Sequence, residues 1–238
     1  MIKHLLLLVF LFSSLNFQTC AETKLHITTG FTTPVSDFYK NVLAEADKRM
    51  AGISITFEAL PAERSLILVN QGVNDAECCR IPAVVGEYKN LVPINKSFFS
   101  ARFSAFEKKH HGPIKSFADL KPYAVGTVEG WKIAVQKLKE IQPAELHIVT
   151  TPEQMFRMIN QDRLDYGIVG YLSGLKSIST LKIKSITPIY PPLIEKPLYL
   201  MLNSKHKNLI PDFDNVITEM KDDGTISRLY NELIKSIK

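Results

Sequence analysis

The alternation of apolar and polar positions divides the chain into short strands and longer helices. Leu25 and Ile27 alternate with polar neighbours in KLHITTG, which predicts a strand ending at Gly30. Over residues 36–50, Phe38, Val42, Leu43, Ala46 and Met50 recur at helical spacing, with Ser36 placed as the cap. Residues 53–58, ISITFE, return to strict alternation and read as a strand. Pro61 at a first helical position and Gly72 just past the end bracket a second helix, PAERSLILVNQ. DAECCRI follows as a further strand. This β-α-β-α-β order implies parallel strands with right-handed crossovers, and hence an α/β sheet.

A second unit repeats the pattern. SFADL (116–120) reads as a capped turn and YAVGTV (123–128) as a strand, after which Gly130 opens the helix WKIAVQKLKEI. ELHIVT (145–150) is the next strand. Thr151-Pro152-Glu153-Gln154 forms a capping box ahead of Phe156, Met158 and Ile159, and DYGIVG (165–170) closes the unit as a strand. Two long extended stretches, 90–108 and 183–203, cross between the units, and the helical C-terminus is broken at Gly224. Two α/β units joined by two crossings predict two lobes around a cleft. In open α/β sheets the ligand crevice lies beyond the carboxyl ends of the strands, here Gly30-Phe31, Pro61 to Arg64, residues 72–80 and Gly126 to Trp131.

The N-terminus stands apart from this pattern. Lys3, the apolar run Leu5 to Phe12 and the small-residue site Thr19-Cys20-Ala21 have the order of a secretory signal cleaved after Ala21. The run is too short to span a bilayer. Removing the first 21 of 238 residues costs one formal charge, Lys3, so the net charge falls from +5 to about +4. A mildly basic exported chain with interspersed charges suits small anionic or zwitterionic ligands and gives no reason to expect nucleic acid. Only Cys78 and Cys79 then remain, so no long-range disulfide framework is available. Adjacent strand residues point to opposite faces, which argues against joint metal ligation, and a bridge between neighbours needs unusual backbone geometry. Two buried small apolar side chains is the expectation.

The order of motifs resembles the periplasmic solute-binding proteins of the amino-acid type, family 3 of the ABC importers. It is carried by LPAERSLILVNQGVNDAECCR, SFADLKPYAVGTVEGW, MINQDRLDYGIV and PLYLMLNSKHKNLIPDFDNVITEMKDDGTISRLY. The resemblance implies a two-lobed α/β fold of the type II periplasmic-binding-protein class, with mostly parallel sheets and two hinge crossings near 101–107 and 190–198. Lobe I is expected to comprise 22–104 and 194–238, and lobe II 105–193. The implied function is capture of a small polar solute, amino-acid-like or carboxylate-bearing, by hinge closure. The implied partner is a membrane ABC permease or a sensor. The protein would be periplasmic, monomeric, without cofactor or metal, and not an enzyme. A dehydratase-like enzyme on the same scaffold, with Glu77 or Glu129 as general acid, and a soluble sensory module are the alternatives. The chain departs from the family in two places. Glu87 stands where the carboxylate-forking arginine is usual, and Gly170-Tyr171 where the amine-holding acid is usual.

Residue chemistry and these strand ends nominate the ligand-binding candidates. Arg80 offers a planar five-donor fork for a carboxylate, against a surface arginine paired with Glu77 or Glu87. Arg64, in a first helical turn, either enters the crevice or pairs with Glu63 or Glu58. Glu77 either meets a ligand amine or serves as a salt-bridge partner. Thr127 can add a hydroxyl, and Gly130 and Trp131 sit at a helix start where N–H groups bind anions. Trp131 can also stack on a ligand. Tyr39, Phe103 and Tyr171 are candidate walls, with core packing as the competing role. His110-His111 read as a solvated loop, and Asp165 as a structural turn acid.

Overall fold

The computed structural model describes residues 22–129 and 131–237; the expected signal segment (1–21) and Gly130 lie outside the described residues. The first unit forms in the expected order: β1 (Thr23–Thr29), α1 (Val35–Arg49), β2 (Ile53–Ala59), α2 (Ala62–Asn70) and β3 (Ala76–Arg80). β1 pairs in parallel with both β2 and β3, Ile27 standing opposite Phe57 and Ala76. One capping expectation is corrected. The first helix begins after Pro34, and Ser36 lies buried inside its first turn without a capping bond.

Short strand β4 (Leu91–Pro93) leads into the first long crossing, β5 (Phe99–Glu107). The second unit follows as β6 (Ala124–Val128), α3 (Lys132–Ile141), β7 (Glu145–Val149), α4 (Pro152–Asn160) and β8 (Tyr166–Gly170). Ser116 and Asp119 make a reciprocal capping box ahead of β6, and the Thr151 hydroxyl accepts from the Gln154 N–H at the start of α4. The sequence pattern does not predict the next element, α5 (Tyr171–Thr180), which follows β8 without a break. Then come β9 (Thr187–Pro188), β10 (Ile194–Asn203), α6 (Ile210–Asp222) and α7 (Thr225–Ile237). Gly224 separates the last two helices at φ 79°, a left-handed conformation that glycine adopts without strain.

Hydrogen bonds run along one strand path, β2-β1-β3-β10-β5-β8-β6-β7. The strands inside each lobe are parallel, whereas the crossing strands β5 and β10 pair antiparallel with each other and with β8 and β3. β10 serves both lobes: Ile194 to Leu198 lie beside β5, and the stretch from Tyr199 onward lies beside β3 and β4. The fold is the two-lobed, type II periplasmic-binding-protein architecture.

Each lobe has its own apolar core. In lobe I, Leu25, Ile27, Phe38, Val42, Phe213, Ile217 and Leu233 pack together, so the two C-terminal helices close over α1. In lobe II the period-two alternation of the strands divides the core across the sheet. Phe103, Ala105, Tyr166 and Ile168 face one layer; Phe106, Met155, Phe156 and Val169 face the other. α5 is held against that second layer at Gly174. A Cβ there would overlap the Phe106 ring, itself buried edge-on against Phe156. Gly174→Ala is therefore expected to cost about 2 kcal/mol through overpacking. Urea unfolding at neutral pH measures it, and an unchanged midpoint would show that the helix shifts freely.

Candidate functional site

Between the lobes lies a cavity of about 380 Å³, to which both lobes and both crossing strands contribute. Lobe I supplies Phe31 to Val35 ahead of α1, and Tyr230 from α7. The floor is Phe99 to Phe103 of β5 with Leu198 of β10. Lobe II supplies Trp131, the start of α4 at Pro152-Glu153, and one face of α5 with Tyr171, Lys176 and Ser177. The site thus lies beyond the strand ends of both sheets, where an open α/β fold puts its ligand crevice.

Trp131 owes its place to two neighbours. Its ring lies against Gly170, where a Cβ would overlap it, and meets Phe103 edge-on at 5.2 Å with an interplanar angle of 88°. The absent side chain at Gly170 is thus what makes room for the indole. Opposite, Phe31 stacks edge-on against the buried Tyr39 at 5.5 Å, and Tyr39 in turn meets Phe99 at 5.5 Å. The Tyr39 hydroxyl is buried without a hydrogen-bond partner among the described residues, and burial pushes its pKa well above the usual phenol value.

Behind Phe31 sits a buried polar cluster. The Glu77 side chain is 0% exposed. One of its oxygens accepts from the Gly30 N–H at 3.1 Å, and the other from the Ser65 hydroxyl, which is within 2.7 Å of Thr28 Oγ1. Arg80 Nη2 lies 2.5 Å from Glu77 Oε1, an ion pair in distance though not aligned as a hydrogen bond. The guanidinium also lies 5.5 Å from the centre of the Phe31 ring. Gly30 allows this arrangement, because a Cβ there would overlap both Arg80 Nη2 and Ala62. Burial raises the Glu77 pKa to about 7, the Arg80 charge pulling in the opposite direction.

The nine candidates from the sequence therefore separate. Phe103, Trp131 and Tyr171 line the cavity. Arg80 and Glu77 form the ion pair behind Phe31, and Tyr39 backs the aromatic wall; none of the three is among the lining residues. Thr127 is fully buried, its hydroxyl donating to the Ile168 carbonyl at 2.9 Å within the sheet. Arg64 is exposed on the first turn of α2. Gly130 is outside the described residues. Phe31, placed by the sequence at a strand end bordering the crevice though not among the nine, lines the cavity, which also contains groups that sequence reasoning missed: Phe99, Arg102, Glu153, Lys176 and Tyr230. Arg102 donates through Nε to Glu195 at 2.9 Å and through Nη1 to the Tyr230 hydroxyl at 3.3 Å. Lys176 Nζ donates to the Thr33 carbonyl at 3.1 Å, joining α5 to the loop before α1 across the cleft.

The expectation for Cys78 and Cys79 is corrected. Both are fully buried in the lobe I core, but their sulfurs are joined in a disulfide, and the peptide between them is cis. A trans strand would have sent the two side chains to opposite faces. A bridge between adjacent residues closes the smallest possible loop, so it restricts the unfolded chain little. Among the described residues no group of three or more histidine, cysteine and acidic side chains could hold a metal ion, and no helix is long and apolar enough to cross a membrane.

No protein-family profile and no curated protein matches the chain. Solved structures do. The unliganded, open L-cystine solute receptor of Neisseria gonorrhoeae superposes with a TM-score of 0.73 at 17% identity, over 90% of this chain and 93% of that one. A probable amino-acid ABC transporter extracellular-binding protein of Bacillus subtilis gives 0.71 at 17% identity, over 89% and 97%. A histidine kinase sensor domain similar to periplasmic binding proteins gives 0.63 at 11% identity, over 90% and 96%. At these identities the likeness establishes the fold.

Proposed function

We propose that the protein is a periplasmic solute-binding protein that captures a small solute by closing its two lobes and passes it to a membrane ABC importer. The observation that carries this reading is the interlobe cavity, whose walls come from both lobes and whose floor is made by both crossing strands. A solute there touches both lobes only when they are together, so its binding energy favours the closed form. Solute-binding proteins for amino acids and cystine share the architecture. Ile194 pairs with Phe103 where the two crossings run side by side, which supports lobe boundaries at 104/105 and 193/194. Phe103, Trp131 and Tyr171 contact the solute in this reading, while Tyr39, Glu77 and Arg80 hold the lobe I wall in place.

A sensory role is the second reading, favoured by the sensor-domain neighbour; the same cavity would then report occupancy to a membrane receptor. Catalysis is not part of the proposal. Glu77 has no exposed side-chain surface and does not line the cavity, and Glu153, the one carboxylate among the described residues that line it, accepts a hydrogen bond from Ser177 at 2.6 Å.

A solute screen by thermal shift tests the proposal. A ligand at 100 times its dissociation constant is expected to stabilise the protein by about 2.7 kcal/mol. For a chain of this size that is a rise of roughly 5–10 °C in the midpoint. No shift across a library of amino acids, organic acids, amines and sugars would overturn the reading.

A further inference from the structure

The cavity is walled by rings. Phe31, Phe99, Phe103, Trp131, Tyr171 and Tyr230 all border it. Among the described residues, the charged side chains that line it are three: Arg102, Glu153 and Lys176. Glu153 is engaged by Ser177 at its Oε1, and Lys176 by the Thr33 carbonyl. Arg102 lies on the floor with its guanidinium 5.8 Å from the Tyr230 ring centre. Its Nε and Nη1 are used by Glu195 and the Tyr230 hydroxyl, while Nη2 has no hydrogen-bond partner among the described residues. The other arginine near the cleft, Arg80, does not line it; it is paired with Glu77 and lies 5.5 Å from the centre of the Phe31 ring.

A small zwitterion needs a cationic fork for its carboxylate and an acceptor for its ammonium, both reachable by a compact polar ligand. Against ring faces, charges without such partners lose their water uncompensated. A flat apolar body gains from the same walls, both by area and by edge-to-face contact. Arg102 is ion-paired with Glu195 through Nε, and its Nη2, which has no hydrogen-bond partner among the described residues, is where an anionic group would sit.

We infer that the cleft takes an aromatic monocarboxylate, its ring against Trp131 and Tyr171 and its carboxylate on the Nη2 edge of Arg102. This rests on the reading of the chain as a solute-binding protein and narrows it from amino-acid-like solutes to aromatic acids.

Trp131 is the chain's single tryptophan, so its fluorescence reports the cleft directly. Titrating the mature chain with phenylacetate and cinnamate is expected to quench that signal saturably. Affinity is expected to exceed that for L-glutamine, L-cystine or phenethylamine by about tenfold or more. Arg102→Gln is expected to weaken phenylacetate roughly ten- to a hundredfold, the worth of a charge-assisted hydrogen bond, and to leave the neutral phenylacetamide nearly unchanged. Arg102→Lys, which keeps the charge, serves if the glutamine variant does not fold by circular dichroism. It is expected to retain part of the preference for phenylacetate over the amide.

Tighter binding of L-glutamine or L-cystine than of both aromatic acids overturns this inference and leaves the solute-binding proposal standing. Phenethylamine binding better than phenylacetate overturns the assignment of the charged group. An unchanged phenylacetate affinity in a folded Arg102→Gln variant overturns the role of Arg102. Failure of every solute in the broad thermal screen defeats the parent proposal and this one with it.

Discussion

Replacing Arg80 by alanine is expected to destabilise the protein by about 3–5 kcal/mol at pH 8, the largest effect of any single substitution considered for this fold. The reason is what the change leaves behind. Glu77 has no exposed side-chain surface, and the Arg80 guanidinium is the cation beside it. Gly30 and Ser65 still donate to the carboxylate, but neither carries charge. A buried ion whose partner is removed costs far more than the pair was worth, because its desolvation is no longer compensated. For a chain of about this length the loss is a fall of roughly 6–20 °C in the midpoint. At pH 5 the orphaned carboxyl is protonated and most of the cost disappears. Arg80→Met combined with Glu77→Gln removes both charges and is expected to recover most of the stability. The coupling is read from urea unfolding of the two single variants and the pair. Additive losses would show that the two side chains act independently. The same Arg80→Ala protein, assayed at pH 5 where it is folded, tests whether the guanidinium also contributes to solute affinity.

The position of this pair illustrates how far the sequence could be read. A strand ending in Arg80, close to the crevice, follows from the β-α-β-α-β pattern, and the structure puts β3 at Ala76–Arg80. What local pattern could not supply is the Phe31 ring, which lines the cavity while that arginine, 5.5 Å from its centre, does not. Phe31 and Arg80 are far apart in sequence and meet only because β1 and β3 are neighbours. Tyr230 is further still, arriving on the last helix. α5 escaped for a different reason. Leu172, Leu175 and Ile178 are spaced for a helix, but Ser173, Ser177, Ser179 and Gly174 favour other conformations, and no side-chain cap announces its start. Packing of Gly174 on Phe106 overrides that weak propensity. Helices with strong local signals, such as the Thr151 cap before α4, were legible from the chain alone.

Stability is expected to fall by about 3 kcal/mol as the pH rises from 4.5 through 7, owing to Glu77. Its pKa moves from 4.5 to about 7 on folding. Between those values the folded state binds the proton more tightly than the unfolded chain, so raising the pH favours unfolding. The contribution is complete below 4.5 and is lost as the pH passes 7. The groups facing Glu77 are Arg80 on its own strand, Thr28 on β1, Gly30 just past its end, Ser65 on α2 and Tyr39 on α1. None of them is a second carboxylate, so the titration is assigned to one group. Other shifted carboxyls act elsewhere on the scale. Asp75, despite partial burial, is held below the usual range by the His26 N–H, Lys205 and His206. Asp223 is pushed down to about 2 by the Thr225 N–H and Arg49. Such depressed groups lose stability only as the pH falls below the ordinary carboxylate range, the opposite direction. Urea unfolding at half-unit intervals from pH 4.5 to 8 resolves the Glu77 limb, and Glu77→Gln, which cannot ionise, is expected to flatten it. An equal slope in that variant would place the titrating group elsewhere. A flat wild-type profile would mean that the Arg80 charge fully offsets the burial of the carboxylate.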